Sequence, residues 1–117
     1  MANTPTFVPL ADDAALDAAF TAPLAVVFKH STTCSLSAVA YEEVAQYLKQ
    51  PGAEPIQLVD LLAFRSISNA IETRSGVRHE SPQVLIVKDG AVVWHASHRR
   101  ITPQTIAAAV AAARTSA

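Results

Sequence analysis

The chain has 117 residues, half of them hydrophobic and 16% charged, with a formal net charge of −1. That length supports one domain with a single real core, and the composition is too apolar for a disordered segment. The charge balance gives no footprint for nucleic acid, and no apolar run approaches the ~18 residues that a membrane span needs. Cys34 is the only cysteine, so no internal disulfide can form, which suits a reducing, cytoplasmic setting. Met1-Ala2-Asn3-Thr4-Pro5 has neither the basic start nor the apolar stretch of a secretory signal. The charges are unevenly spread: residues 1–60 carry seven acids against Lys29 and Lys49, and residues 61–117 carry seven bases against Glu72, Glu80 and Asp89.

In chain order, Phe7-Val8-Pro9-Leu10 reads as a short edge strand, because Pro9 bars a central one. Asp12 to Phe20 reads as a helix with an acidic first turn, and Leu16 and Phe20 share one face. Leu24–Phe28 is apolar on both faces and suits a central strand. A helix from about Cys34 to Gln50 carries Leu36, Ala40, Val44 and Tyr47/Leu48 on one stripe, and Pro51-Gly52 ends it. Ile56–Leu62 is a second apolar strand. Ser66–Arg74 is a short amphipathic helix with Gly76 as its C′ residue.

Gln83–Val87 and Ala91–His95 flank Lys88-Asp89-Gly90, a strong hairpin signal. Thr102-Pro103 then gives an N-cap followed by proline at the first helical position, and Ile106, Ala109, Val110 and Ala113 give the last helix an apolar face. The order is helix, β, α, β, α, β, β, α after the edge strand. Helix-connected strands must be parallel and a tight hairpin antiparallel. This predicts an α/β protein with a mixed central sheet flanked by helices, the layout of a single thioredoxin-like domain over residues 1–117.

The stretch that organises the chemistry is Val26 to Ser37: strand, polar loop, thiol, helix. The first amides of a helix have no intrahelical partner and the dipole there is positive, so both stabilise a thiolate at Cys34. Thr32, Thr33, Ser35 and Ser37 suit a cap and a wet loop better than a core. Ser81-Pro82 stands immediately before the hairpin. In thioredoxin-like proteins a cis-proline at this point lies beside the reactive cysteine, and the residue before it offers its backbone to an extended substrate by strand addition.

The segments FKHSTTCSLS and HESPQVLIVKDGAVVWHASHRRIT resemble the YtxJ-type monothiol bacilliredoxins, from about Leu10 to Ala113. The family usually has proline directly after the cysteine, where this chain has Ser35. The resemblance implies a monothiol thiol–disulfide oxidoreductase that removes bacillithiol, a small thiol carrying a malate group, from S-bacillithiolated proteins through a Cys34 mixed disulfide. It implies S-thiolated client proteins as partners, bacillithiol as co-substrate, no other cofactor, and a monomer that binds neither nucleic acid nor membrane. Ser37 stands where dithiol relatives carry a resolving cysteine and can either hydrogen-bond the thiolate or serve as an ordinary first-turn serine.

The candidate site is Cys34 as nucleophile, with Thr33, Ser37, Arg78, His79, Ser81 and Pro82 on the substrate. His30, Arg99 and Arg100 are further groups able to receive carboxylates, for which the guanidinium fork is well shaped. No metal is expected: His95 and His98 lack a helix to align them and no second cysteine exists. Two other readings stay open at this point. One is a monothiol glutaredoxin-like iron–sulfur cluster carrier. The other is a redox-inert thioredoxin-fold binding or adaptor domain, since fold alone never fixes function.

Overall fold

The computed structural model describes residues 6–115. Residues 1–5, read above as lacking a secretory signal, lie outside the described residues. The elements are β1 (Phe7–Pro9), α1 (Asp13–Thr21), β2 (Leu24–His30), α2 (Ser35–Leu48), β3 (Ile56–Asp60), α3 (Arg65–Ser75), β4 (Gln83–Lys88), β5 (Ala91–Ser97) and α4 (Pro103–Thr115), with a 3₁₀ turn, His98–Arg100, between β5 and α4. The strands form one five-stranded sheet in the order β1-β3-β2-β4-β5. β1 and β2 both run parallel to β3, while β4 is antiparallel to β2 and β5 to β4. Pro9 sits on the edge strand, where its missing N–H breaks no central ladder.

Successive side chains of a strand point to opposite faces, and this builds two cores on one sheet. Val26, Phe28, Val84 and Ile86 pack with Ala40, Val44 and Tyr47 of α2 and Ile106 and Val110 of α4. Val27, Leu85, Val87 and Val59 pack with Leu16 and Phe20 of α1 and Ile67 and Ile71 of α3. Both faces of the central strands are therefore dry, as their continuous apolar runs require.

The local signals act where the chain places them. Asp12 caps α1, its Oδ1 accepting from Ala15 N at 2.7 Å. Gly76 ends α3 at φ 71° with its N–H on Glu72 O, and Asp89 and Gly90 turn the hairpin at φ 51° and 85°. Thr102 Oγ1 accepts from Thr105 N at 3.0 Å at the start of α4.

Of the boundaries that differ from the sequence reading, three bear on the site. β2 continues to His30, because Lys29 and His30 still pair with Val59 and Asp60 although they end the apolar run. α2 begins at Ser35, leaving Cys34 outside as its cap. β5 continues to Ser97 and passes into the unforeseen 3₁₀ turn.

Candidate functional site

The ladder fixes where the site can be. His30 ends β2, the Ser81–Pro82 segment leads into β4 beside it, and Ser97 ends β5 opposite Gln83. The loop that carries Cys34, the Ser81–Pro82 segment and the 3₁₀ turn therefore gather at one end of the sheet. The Ser81–Pro82 peptide bond is cis. His98 N donates to Pro82 O at 3.0 Å and ties the turn to this segment.

Cys34 is the N-cap residue of α2, with extended backbone at φ −103° and ψ 125°. Its N–H bonds Ser31 O at 3.2 Å and its C=O accepts from Ala38 N at 3.1 Å, the first bond of the helix. No side chain caps that helix, and the thiol is half-buried and free of any disulfide. Cys34 thus opens a fourteen-residue helix whose first amides have no intrahelical partner.

Ser37 is fully buried. Its Oγ accepts from Ser31 N at 2.9 Å and lies 2.9 Å from His30 Nδ1. The hydroxyl fastens the end of β2 to the first turn of α2 and thereby fixes the loop that presents Cys34. This corrects its placement on the substrate: a group with no exposed surface that already bridges two partners holds the loop instead. Burial lowers the His30 pKa from its ordinary value, although Asp60 nearby opposes this, so the imidazole is neutral near pH 7. The ring also packs 5.1 Å from that of Tyr41. Thr33 is exposed beside the cysteine, with its Oγ1 3.2 Å from Ser31 Oγ.

His79 faces the other side of the sheet. Its Nδ1 lies 3.2 Å from Lys29 Nζ and 3.2 Å from Ser68 Oγ, and its N–H donates to Glu72 Oε2 at 2.6 Å. Lys29 is completely buried. Desolvation lowers its pKa from 10.5 to about 8, against the pull of the Glu72 carboxylate. The His79 pKa is lowered chiefly by burial and then by the Lys29 charge. The ammonium donates to Nδ1, which leaves the imidazole proton on Nε2. His79 accordingly anchors the segment that leads to Ser81–Pro82, with its Nδ1 occupied inside the protein. Lys29 is the group that sequence reading missed. Its signal was a lysine on the inward register of a strand buried on both faces.

Arg78 is exposed, and its carbonyl accepts from Gln83 Nε2 at 3.0 Å. Pro82 is buried, as is Gln83. Ser81 Oγ and Gln83 Oε1 are buried polar atoms with no hydrogen-bond partner among the described residues. Such atoms are rare and costly unless something else satisfies them. Both flank Pro82.

A half-buried cysteine at a helix N-terminus, on the same end of a mixed sheet as a cis X–Pro segment, defines a thioredoxin-like thiol–disulfide oxidoreductase. Solved structures agree on the fold. One described as having a thioredoxin fold superposes with a TM-score of 0.82 at 27% identity, covering 89% of this chain and 93% of the other. Thioredoxin from Trypanosoma brucei brucei matches at 0.79 and 12% identity, covering 98% and 96%. A thioredoxin variant from Halobacterium salinarum NRC-1 matches at 0.69 and 14%, covering 92% and 94%. The family model of the monothiol bacilliredoxin BrxC matches residues 10–106. The chain belongs to that family, and its single cysteine fits the monothiol designation.

Proposed function

We propose that this protein removes bacillithiol from S-bacillithiolated client proteins. The observation that carries the reading is the position of Cys34, the chain's one cysteine, at the open N-terminus of α2 in a monothiol bacilliredoxin. The Cys34 thiolate attacks the bacillithiol sulfur of the mixed disulfide. The old S–S bond breaks, the client leaves as thiolate and takes up a proton, and a Cys34–bacillithiol disulfide forms. A second bacillithiol, as thiolate, then attacks the bacillithiol sulfur on Cys34, yielding bacillithiol disulfide and free Cys34. No electrons are gained or lost beyond the two carried by the exchanged bond. Ser37 cannot resolve the intermediate, since it is a buried hydroxyl. The half-buried Ser81, ahead of the cis bond to Pro82, offers backbone to an extended client segment, recognised through main chain rather than through one side chain.

The test is a defined S-bacillithiolated client incubated with the protein and bacillithiol, with client thiol release followed over time. Release should require Cys34 and proceed without any protein dithiol. Equal release by Cys34→Ser would remove the proposal.

A further inference from the structure

The 3₁₀ turn after β5 has features that the exchange chemistry at Cys34 leaves unexplained. His98 adopts φ 56°, a left-handed conformation uncommon for a residue with a side chain. It is held there by its N–H on Pro82 O and its C=O accepting from Ile101 N at 3.2 Å. Thr105 Oγ1 clamps the far side, donating to Arg100 O at 2.8 Å. The strained turn projects two consecutive arginines into solvent. Neither guanidinium has an ion-pair or hydrogen-bond partner among the described residues.

Three hollows adjoin the turn. One of them, about 360 Å³, is walled by Glu80, His95, Ser97, His98 and Arg100. Its Glu80 carboxylate lies 3.4 Å from His98 Nδ1 and disfavours an anion there. The other two lie against the helices. The smaller, about 300 Å³, lies against Leu36 and Val39 in the first turns of the helix that Cys34 caps, and Arg99 forms part of its wall. Glu43 also lines it, which disfavours an anion there. The larger, about 580 Å³, is walled by Trp94, Arg99, Arg100, Thr102 and Thr105, with alanines of α4 behind them and no carboxylate. Arg99 is common to both. Two strand spacings, ~10 Å, separate the end of β2 from the end of β5.

We propose that the turn His98–Arg100 and the cavity beneath Trp94 form the carboxylate subsite of the Cys34 site. The ligand it fits is a small thiol that carries its carboxylates at the end away from its sulfur. The sulfur meets Cys34, the middle of the molecule crosses the Leu36–Val39 hollow, and the carboxylates reach Arg99 and Arg100. Paired guanidinium forks give geometric selectivity for a dicarboxylate that a lone cation would not. This rests on the small-thiol reading above and assigns the malate end of bacillithiol to this turn rather than to Arg78.

The test uses the Cys34→Ser protein and S-methyl bacillithiol, so that binding is read without exchange. Titration followed by NMR should give saturable shifts at the Trp94 indole N–H and at amides 98–102. Arg99→Gln and Arg100→Gln should each raise Kd about tenfold, the scale of one lost charge-assisted contact. Lys49→Gln, remote from the turn, should leave Kd unchanged. If either arginine variant loses its native spectrum, 0.5 M salt added to the parent protein must weaken binding instead, because exposed charges are screened. Weakening by Arg78→Gln alone, or no response to salt, overturns the assignment. So does equal binding of an Asp/Glu peptide at the same amides, which would make the turn a client-docking site. Failure to release bacillithiol from a client, with S-methyl bacillithiol still bound at the turn, would sink the proposed function but not this subsite.

Discussion

Lys29 Nζ lies 3.2 Å from His79 Nδ1, and through this contact the buried face of β2 holds the segment that presents Ser81 and Pro82. The arrangement is costly by itself, since two groups that both bind protons share one dry pocket. Glu72 offsets part of that cost: it accepts from His79 N and its charge favours the ammonium.

The pair makes stability depend on pH in a defined window. The Lys29 pKa falls from 10.5 in the unfolded chain to about 8 in the fold. Between these values unfolding takes up a proton, so raising the pH favours the folded state. Urea unfolding of the unaltered protein should therefore gain on Lys29→Met between about pH 8 and 10.5. Parallel profiles for the two proteins across that range would show that Lys29 titrates as an ordinary lysine.

The histidines act at the acid side with the same sign. His30 and His79 both have pKa values lowered from 6.5 by burial, so the unfolded chain binds protons that the fold refuses. Stability should decline as the pH falls below 6.5. A His30→Gln, His79→Gln double variant should lose much of that slope in urea titrations at pH 7 and pH 5. An unchanged slope would place the acid sensitivity elsewhere.

Ser37→Ala should destabilise the protein by about 1–3 kcal/mol, because it strips the partner from the Ser31 amide and from His30 Nδ1. Loosening the loop should also slow exchange at Cys34. Chemical denaturation and alkylation rates read the two effects. A variant of unaltered stability would mean that water replaces the hydroxyl without cost.

Two glycine substitutions separate backbone strain from crowding. Gly76 and Gly90 both have positive φ, at 71° and 85°. A Cβ at Gly76 meets nothing within 4 Å, whereas at Gly90 it would lie 3.1 Å from Phe20 O. Gly76→Ala should cost about 1–2 kcal/mol from conformation alone, and Gly90→Ala more. Equal losses would show that the Phe20 carbonyl moves aside freely.

Much of this was legible in the sequence because it rests on local chemistry. Asp12, Gly76, Asp89-Gly90 and Thr102-Pro103 mark their caps and turns through single residues, and the apolar runs of β2 and β4 reveal a sheet buried on both faces. Cys34 at a helix entrance followed from its serine and threonine neighbours. What escaped depends on long-range register. Lys29 looks like the polar end of a strand until the ladder places it opposite Gln83 and inside the α3 face. Ser37 looks like a surface serine until the loop folds back and buries it on His30. The turn at His98 carries no glycine or proline to announce it, because contacts to Pro82 and Thr105 impose it from outside.

The central claim is the role of Cys34, and intact mass spectrometry tests it most directly. Incubated with an S-bacillithiolated client, the protein should gain one adduct of bacillithiol mass on Cys34, and free bacillithiol should remove it. Cys34→Ser should form no adduct and keep its stability, or gain up to about 1 kcal/mol, because serine supplies the cap bond that α2 lacks. A Cys34–client disulfide in place of the bacillithiol adduct would contradict the direction of attack. A folded protein that forms neither would contradict the account altogether.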